Sequence, residues 1–318
     1  NVLDLCHDFE TMYKIKMNKG KDFIVNENHI LSLKSTGYSS YPKGSILDIK
    51  LCDFLKKSPT FQSRFKWYRE PVKFQAKELD IDPYMIGYWL GDGTSASAQI
   101  TTADEEVVNA FNEKLEELDL FLNKTSSPYR YQIKQTTFSK SKNYFLNALR
   151  KYNLLNNKHI PHDYKINSTE NRLQLLAGII DSDGSYDKTA KGFDIVQKNE
   201  KLLDDIIFVA RTLGFSAYKK ECIKRCTNSP GHIGTYYRCI ITGDISVIPC
   251  EVLRKQGGQR ISNKDVLVTG FTIEKMEHGE YFGFELDGNN RFLSEDCSVL
   301  HNTGKSTLIK SILYAKKH

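Results

Sequence analysis

Short apolar runs broken by polar turns occupy the start of the chain. Met12 to Lys16, Asp22 to Val25 and Ile30 to Leu33 read as strands, with a turn at Asn18-Lys19-Gly20. Ser58 to Arg69 is polar and basic and reads as a connection. The pattern then turns helical at about Asp82, where Asp-Pro is a start signal. Met85 to Gly93, Met-Ile-Gly-Tyr-Trp-Leu-Gly-Asp-Gly, is an apolar helix whose last turn ends in a carboxylate followed by glycine. Leu175 to Gly184, Leu-Leu-Ala-Gly-Ile-Ile-Asp-Ser-Asp-Gly, ends the same way. Aligned, Ala177-Gly178 falls on Ile86-Gly87 and Asp183-Gly184 on Asp92-Gly93.

This echo belongs to a longer repeat. After the glycine-bearing helix each half has polar residues of strand type, Gln99 to Thr102 and Gly192 to Gln197. A second helix follows in each, Glu105 to Leu118 and Glu200 to Leu213. Strands rich in Lys, Arg and Tyr come next, Tyr129 to Lys134 and Ser216 to Lys224. The spacing suits one αββα unit per half, a pseudo-dimer within one chain. Strand character returns at Val266 to Met276, Tyr281 to Leu286, Arg291 to Leu293 and Ser298 to Leu300, with a turn at Gly288-Asn289. Thr303 to His318 is basic and helical after its first residues.

With 318 residues the chain can bury two separate cores. A net charge of +6 is weak support for nucleic acid on its own. The seven cysteines are odd in number and irregularly spaced, without a zinc-type ligand set, and read as reduced thiols. No targeting segment starts the chain and no apolar run approaches the ~20 residues of a membrane span. The expectation is an intracellular, reducing location, cytoplasm or nucleus, with no membrane partner.

Glycine lets two helix backbones approach closely, so the two motifs can hold their acids side by side. Paired acids suit a two-metal site for phosphodiester hydrolysis, and hard oxygen ligands suit Mg²⁺ or Mn²⁺. The paired motifs resemble those of the two-motif homing endonucleases of the dodecapeptide (LAGLIDADG) type, over Pro83 to Cys250. The second copy is close and the first degenerate. The resemblance implies that Asp92 and Asp183, the final acids of each motif, bind the metal at the DNA. Asp181 faces elsewhere on its helix and is not the carried-over ligand. Lys158, in Lys-His-Ile-Pro, resembles the family's lysine between the motifs, which stabilises transition-state charge. Its counterpart in the second half stays open among Lys219, Lys220, Lys224 and Arg238. Double-stranded DNA would meet two basic-aromatic sets: Arg130, Tyr131, Lys134, Lys140 and Lys142, and Lys219, Lys220, Lys224 and Arg225.

The flanking stretches, Asn1 to Ser58 and Ile261 to Asn302, resemble an intein of Hint type, a self-splicing element that often carries such an endonuclease. The ending Ser298-Val-Leu-His-Asn302, followed by Thr303, is the strongest local signal. The resemblance implies that Asn302 cyclises onto its own carbonyl and breaks the 302–303 bond. His301 polarises that carbonyl or protonates the leaving amine, and Thr303 is the acceptor nucleophile. His29, with Asn26 in the place of the usual Thr, resembles the internal motif that activates the upstream amide. Asn290 stands where the family often has a catalytic His, and Gly283 where it often has Asp. Asn1 cannot perform the first acyl shift. The implied opening motif is therefore expected on a separate amino-terminal fragment, or removed. Thr303-Gly-Lys-Ser-Thr307 reads as the second half of a phosphate-binding loop, so the flanks (exteins) are expected to belong to a host P-loop ATPase.

The expected architecture is multidomain. An all-β splicing domain from 1–75 and 261–302, horseshoe-like, is interrupted by an α+β endonuclease at 76–260 with two pseudo-symmetric αββα halves, and 303–318 begins the downstream host piece. The alternative is an endonuclease, or a DNA-binding module, with decayed splicing or cleavage.

Overall fold

β-Branched and aromatic residues draw the opening segment into strands: β1 (Val2–Met17), β2 (Phe23–Asn26), β3 (Ile30–Ser35) and β4 (Ile46–Lys50). In this computed structural model the described residues are 2–136, 143–225, 233–258, 264–286 and 288–301. The turn from β1 to β2 places Gly20 at φ +113°, where glycine carries no steric penalty. Two short helices follow, α1 (Leu51–Leu55) and α2 (Pro59–Arg64), and then β5 (Phe65–Tyr68). Ser58 to Arg69 is thus not a connection. The Ser58 hydroxyl caps α2 by accepting from Phe61 N at 3.2 Å, with Pro59 at the first helical position. Phe61, Phe65 and Trp67 are buried between the basic residues that disguised them.

The chain divides into two units, one of Asn1–Pro71 with Lys264–His318, the other of Val72–Asn263. The inserted unit opens with α3 (Pro83–Asp92), β6 (Gln99–Thr101), α4 (Glu105–Glu116), β7 (Leu120–Lys124), β8 (Arg130–Gln135) and α5 (Tyr144–Lys151). After a one-turn α6 (His162–Lys165) come α7 (Thr169–Asp183), β9 (Gly184–Asp187), β10 (Gly192–Gln197), α8 (Glu200–Thr212), β11 (Lys219–Arg225) and β12 (Ile233–Ile241). Two antiparallel sheets result, in the orders β6-β8-β7 and β11-β12-β10-β9. Each half is longer than an αββα unit. Behind the second helix a hairpin returns and pairs with the strand that precedes that helix, β8 on β6 and β12 on β10. The helices α3 and α7 form the centre of one apolar core that both sheets cover.

The outer unit resumes with β13 (Val268–Thr269), β14 (Phe271–Leu286), β15 (Arg291–Leu293) and β16 (Val299–His301). β14 runs unbroken through the stretch between the two predicted strands because β1 pairs with it along its length, from Val2 opposite Leu286 to Met17 opposite Phe271. β15 and β16 form a hairpin, and β16 lies against β3. Ile15, Val25, Leu31, Leu33, Trp67 and Leu300 share the second core. In the same unit the buried side chains of Arg69 and Asp296, 4% and 8% exposed, pair at 3.1 Å, and Arg69 also donates to Lys19 O at 3.1 Å.

Candidate active site at the ends of two glycine-packed helices

Asp82 caps α3 by accepting from Tyr84 N and Met85 N, and Ser168 caps α7 by accepting from Asn171 N. α3 then runs apolar and buried from Pro83 to Leu90, and α7 from Leu175 to Ile180, ahead of their terminal acids. A Cβ on Gly87 would lie 2.2 Å from Leu175 O, and one on Gly178 would lie 2.1 Å from Tyr84 O. Only glycine permits this approach, so the repeat brings two backbones into contact. At the far end a Cβ on Gly91 would lie 3.1 Å from Asp183 Oδ2, which places the acid of α7 beside the last turn of α3.

Asp92 is half-buried and Asp183 exposed. Burial first, and the neighbouring Asp183 carboxylate second, push Asp92 up to about 6, against the pull of Lys255 and Lys158. Gln197, on β10, donates to Asp183 Oδ2 at 2.6 Å. The corresponding residue of β6's half is Thr102, whose hydroxyl accepts from Asp104 N. The two acids are therefore alike in position and unlike in surroundings.

Each helix end is met by a lysine. Lys158 Nζ donates to Gly91 O at 3.0 Å and Gly93 O at 2.8 Å, over the Trp89 ring at 5.1 Å. Lys255 Nζ donates to Ile180 O, Asp181 O and Ser182 O at 3.0, 2.7 and 3.1 Å. Burial lowers the pKa of both, opposed for Lys158 by Asp183 and Asp92 and for Lys255 mainly by Asp181. Lys255 is the repeat counterpart of Lys158 that sequence reasoning missed. None of Lys219, Lys220, Lys224 and Arg238 stands there, all four lying on β11 and β12. Its one sequence signal is its place, since it follows Asp183 at nearly the spacing with which Lys158 follows Asp92.

Asp181 points away from this cluster. Its Oδ2 accepts from Tyr84 Oη, Glu251 N and Val252 N at 3.0, 2.7 and 3.3 Å. The donor set around the acids is two carboxylates and helix-end carbonyls, hard oxygens that fit Mg²⁺ or Mn²⁺. Among the described residues no cluster of three or more His, Cys, Asp or Glu could hold a metal alone. A cation here would need further oxygens from water or substrate.

Of the DNA-contact candidates, Arg130 and Lys134 are exposed on β8, and Lys220 and Lys224 on β11. Lys219 turns back to α8, pairing with Glu200 and Asp204 at 2.6 and 2.8 Å. Arg225 ends β11; Lys140 and Lys142 lie outside the described residues. In the outer unit Asn26 and His29 are buried at the turn before β3. Asn26 Nδ2 donates to Glu10 Oε2 at 2.8 Å, and its buried Oδ1 has no hydrogen-bond partner among the described residues. His301 is buried at the end of β16, opposite Arg291. Asn290 sits in the β14–β15 turn at φ +58°. Asn302 and Thr303 lie outside the described residues.

Residues 159–250 match the family model for homing endonucleases. The replicative DNA helicase DnaB of Mycobacterium intracellulare is 34% identical over 142 residues, 44% of this chain and 20% of that protein. The ATP-dependent DNA helicase Hel308 of Methanocaldococcus jannaschii is 27% identical over 242 residues, 71% of this chain and 18% of that protein. The chain thus spans about a fifth of the length of these relatives. Among solved structures, mesophilic variants of the homing endonuclease I-DmoI align at 17% identity and a TM-score of 0.34, covering 51% of this chain and 88% of theirs. I-DmoI in complex with DNA and Ca aligns at 17% identity and a TM-score of 0.34, covering 51% and 83%. It is over residues 159–250 that this chain is similar to the homing endonucleases.

Proposed function

We propose that the inserted unit is a divalent-metal-dependent endonuclease that cuts both strands of a specific DNA site. One observation carries this reading: Asp92 and Asp183 end two helices packed through glycine, and Lys158 and Lys255 sit at those same ends. A bound Mg²⁺ or Mn²⁺ would lower the pKa of a coordinated water and stabilise the departing oxygen. Asp92 and Asp183 would hold it, with Gln197 fixing the Asp183 carboxylate. Lys158 and Lys255 offer fixed positive charge to the phosphate as negative charge grows there. Arg130, Lys134, Lys220 and Lys224 bring basic groups on the strands to the duplex. The test is a supercoiled plasmid library with a randomised insert, in Mg²⁺. Wild type should linearise a subset that Asp183→Asn leaves intact. If neither protein cuts, the DNA-binding reading replaces this one.

We propose further that the outer unit is a splicing element inserted in a host helicase, the class named by both curated relatives. The adjacency of β3 and β16 supports it, since His29 directly precedes the first and His301 ends the second. His29 and Asn26 would act on the upstream amide. His301 would assist cyclisation of Asn302, with Thr303 receiving the upstream chain as an ester. The presence of Asn290 in a left-handed turn, and of Gly283 in β14, favours a decayed variant of that chemistry. Incubation with a complementing amino-terminal fragment decides between them: a ligated product supports splicing, and its absence with intact termini supports decay.

A further inference from the structure

The two lysines stand on segments that are themselves gripped by buried carboxylates, and the two carboxylates come from different places. Asp181, 1% exposed, accepts from the main-chain nitrogens of Glu251 and Val252. This fixes the short 3₁₀ helix Leu253–Lys255, which ends in Lys255. Lys255 closes the loop by donating to the main-chain carbonyl of Asp181 itself at 2.7 Å. Asp205, on α8 and 8% exposed, accepts from Ile160 N at 2.9 Å and from Lys165 Nζ at 2.7 Å. That bond holds the chain two residues beyond Lys158, while Asn199 Nδ2 donates to Lys158 O at 2.8 Å.

Packing does not explain the acid at 181. The equivalent position of α3 is Leu90, buried in the same helix pair. A buried carboxylate carries a desolvation cost that leucine avoids. What Asp181 has and Leu90 lacks is a grip on two backbone N–H groups upstream of a lysine. In the first half that grip is supplied by Asp205 from another helix.

We propose that Asp181 and Asp205 are positioning residues, each fixing the lysine at one strand-cutting centre: Asp181 sets Lys255 and Asp205 sets Lys158. The assignment rests on the nuclease reading of the lysines, but the placement it claims can be measured without DNA. Trace acetylation with acetic anhydride, read residue by residue by mass spectrometry, reports how firmly each amine is held. Asp181→Leu, copying position 90, should raise labelling of Lys255 by about fivefold, the factor one net hydrogen bond is worth, and leave Lys158 unchanged. Asp205→Leu should do the converse. Asp181→Asn and Asp205→Asn keep an acceptor oxygen and should restore the wild-type pattern. Should Asp181→Leu not fold, Asp181→Ser, too short to reach either nitrogen, takes its place with the same expectation.

On a plasmid selected from the library, each Leu variant should slow cleavage of one strand by about tenfold or more, as loss of an outer-shell partner typically does, with DNA affinity unchanged. The nicks left by the two variants should lie on opposite strands. Equal labelling of both lysines in either variant, or no change at all, overturns the proposal whatever the DNA does. Selective labelling by a protein whose wild type cuts no DNA leaves the grip standing and removes the nuclease reading.

Discussion

Lys158 and Lys255 are equivalent across the internal repeat: each ammonium closes the carbonyl end of the helix that carries one acid, Gly91 and Gly93 in one half, Ile180, Asp181 and Ser182 in the other. Cations at helix C-termini are stabilised by the exposed carbonyls. Here the same bonds hold two positive charges beside two carboxylates. Lys158→Met and Lys255→Met should each lower DNA cleavage by about 10²-fold or more, as loss of a charge-stabilising donor does, while gel-shift affinity stays within about threefold.

The helix pair depends on missing side chains. Gly87→Ala and Gly178→Ala put a methyl 2.2 and 2.1 Å from main-chain oxygens that cannot move without breaking helix bonds. Each should destabilise the inserted unit by ~2–3 kcal/mol in urea unfolding. Gly258→Ala, with nothing within 4 Å of its Cβ, should change nothing.

Asp92 links stability to pH in the metal-free protein. Its folded pKa, about 6, lies above the ordinary aspartate value of 3.8, so the folded state holds the proton more tightly. The contribution is fully present below pH 3.8 and is lost as pH rises through about 6. Asp92→Asn should remove that part of the pH dependence and unfold later than wild type at pH 7. A parallel pair of pH–stability curves would show that the carboxylate is not buried against its neighbour as described.

The outer unit has its own buried pair. Asp296→Ala takes the carboxylate at 3.1 Å from the buried Arg69 guanidinium and should cost ~3–5 kcal/mol in the melting of that unit. The double variant Arg69→Met with Asp296→Leu should recover much of the loss, because no charge stays buried.

Much of this arrangement is legible in the residues. The Asp-Gly endings and the glycines one face back predict a close helix pair, and β10 spans the predicted Gly192–Gln197. The stretch similar to the homing endonucleases, residues 159–250, contains the second copy of that motif. What stays hidden has identifiable causes. β5 lies in a run of basic residues whose aromatic neighbours alone are buried. β14 owes its length to a partner strand some 270 residues away in sequence, which no local pattern records. Lys219 looks like a free basic residue on a strand until α8 brings two acids to it. Lys255 belongs to no motif, because a fold-back gripped by Asp181 delivers it to the site.

The central claim is that the acids ending α3 and α7 together serve a metal-dependent site with one cutting centre for each DNA strand. Strand-resolved cleavage of a library-selected plasmid in Mg²⁺, by wild type, Asp92→Asn and Asp183→Asn, tests it most directly. The account predicts linear product from wild type, none from either variant, and undiminished DNA binding by all three. Double-strand cleavage by either variant at the wild-type rate would contradict it.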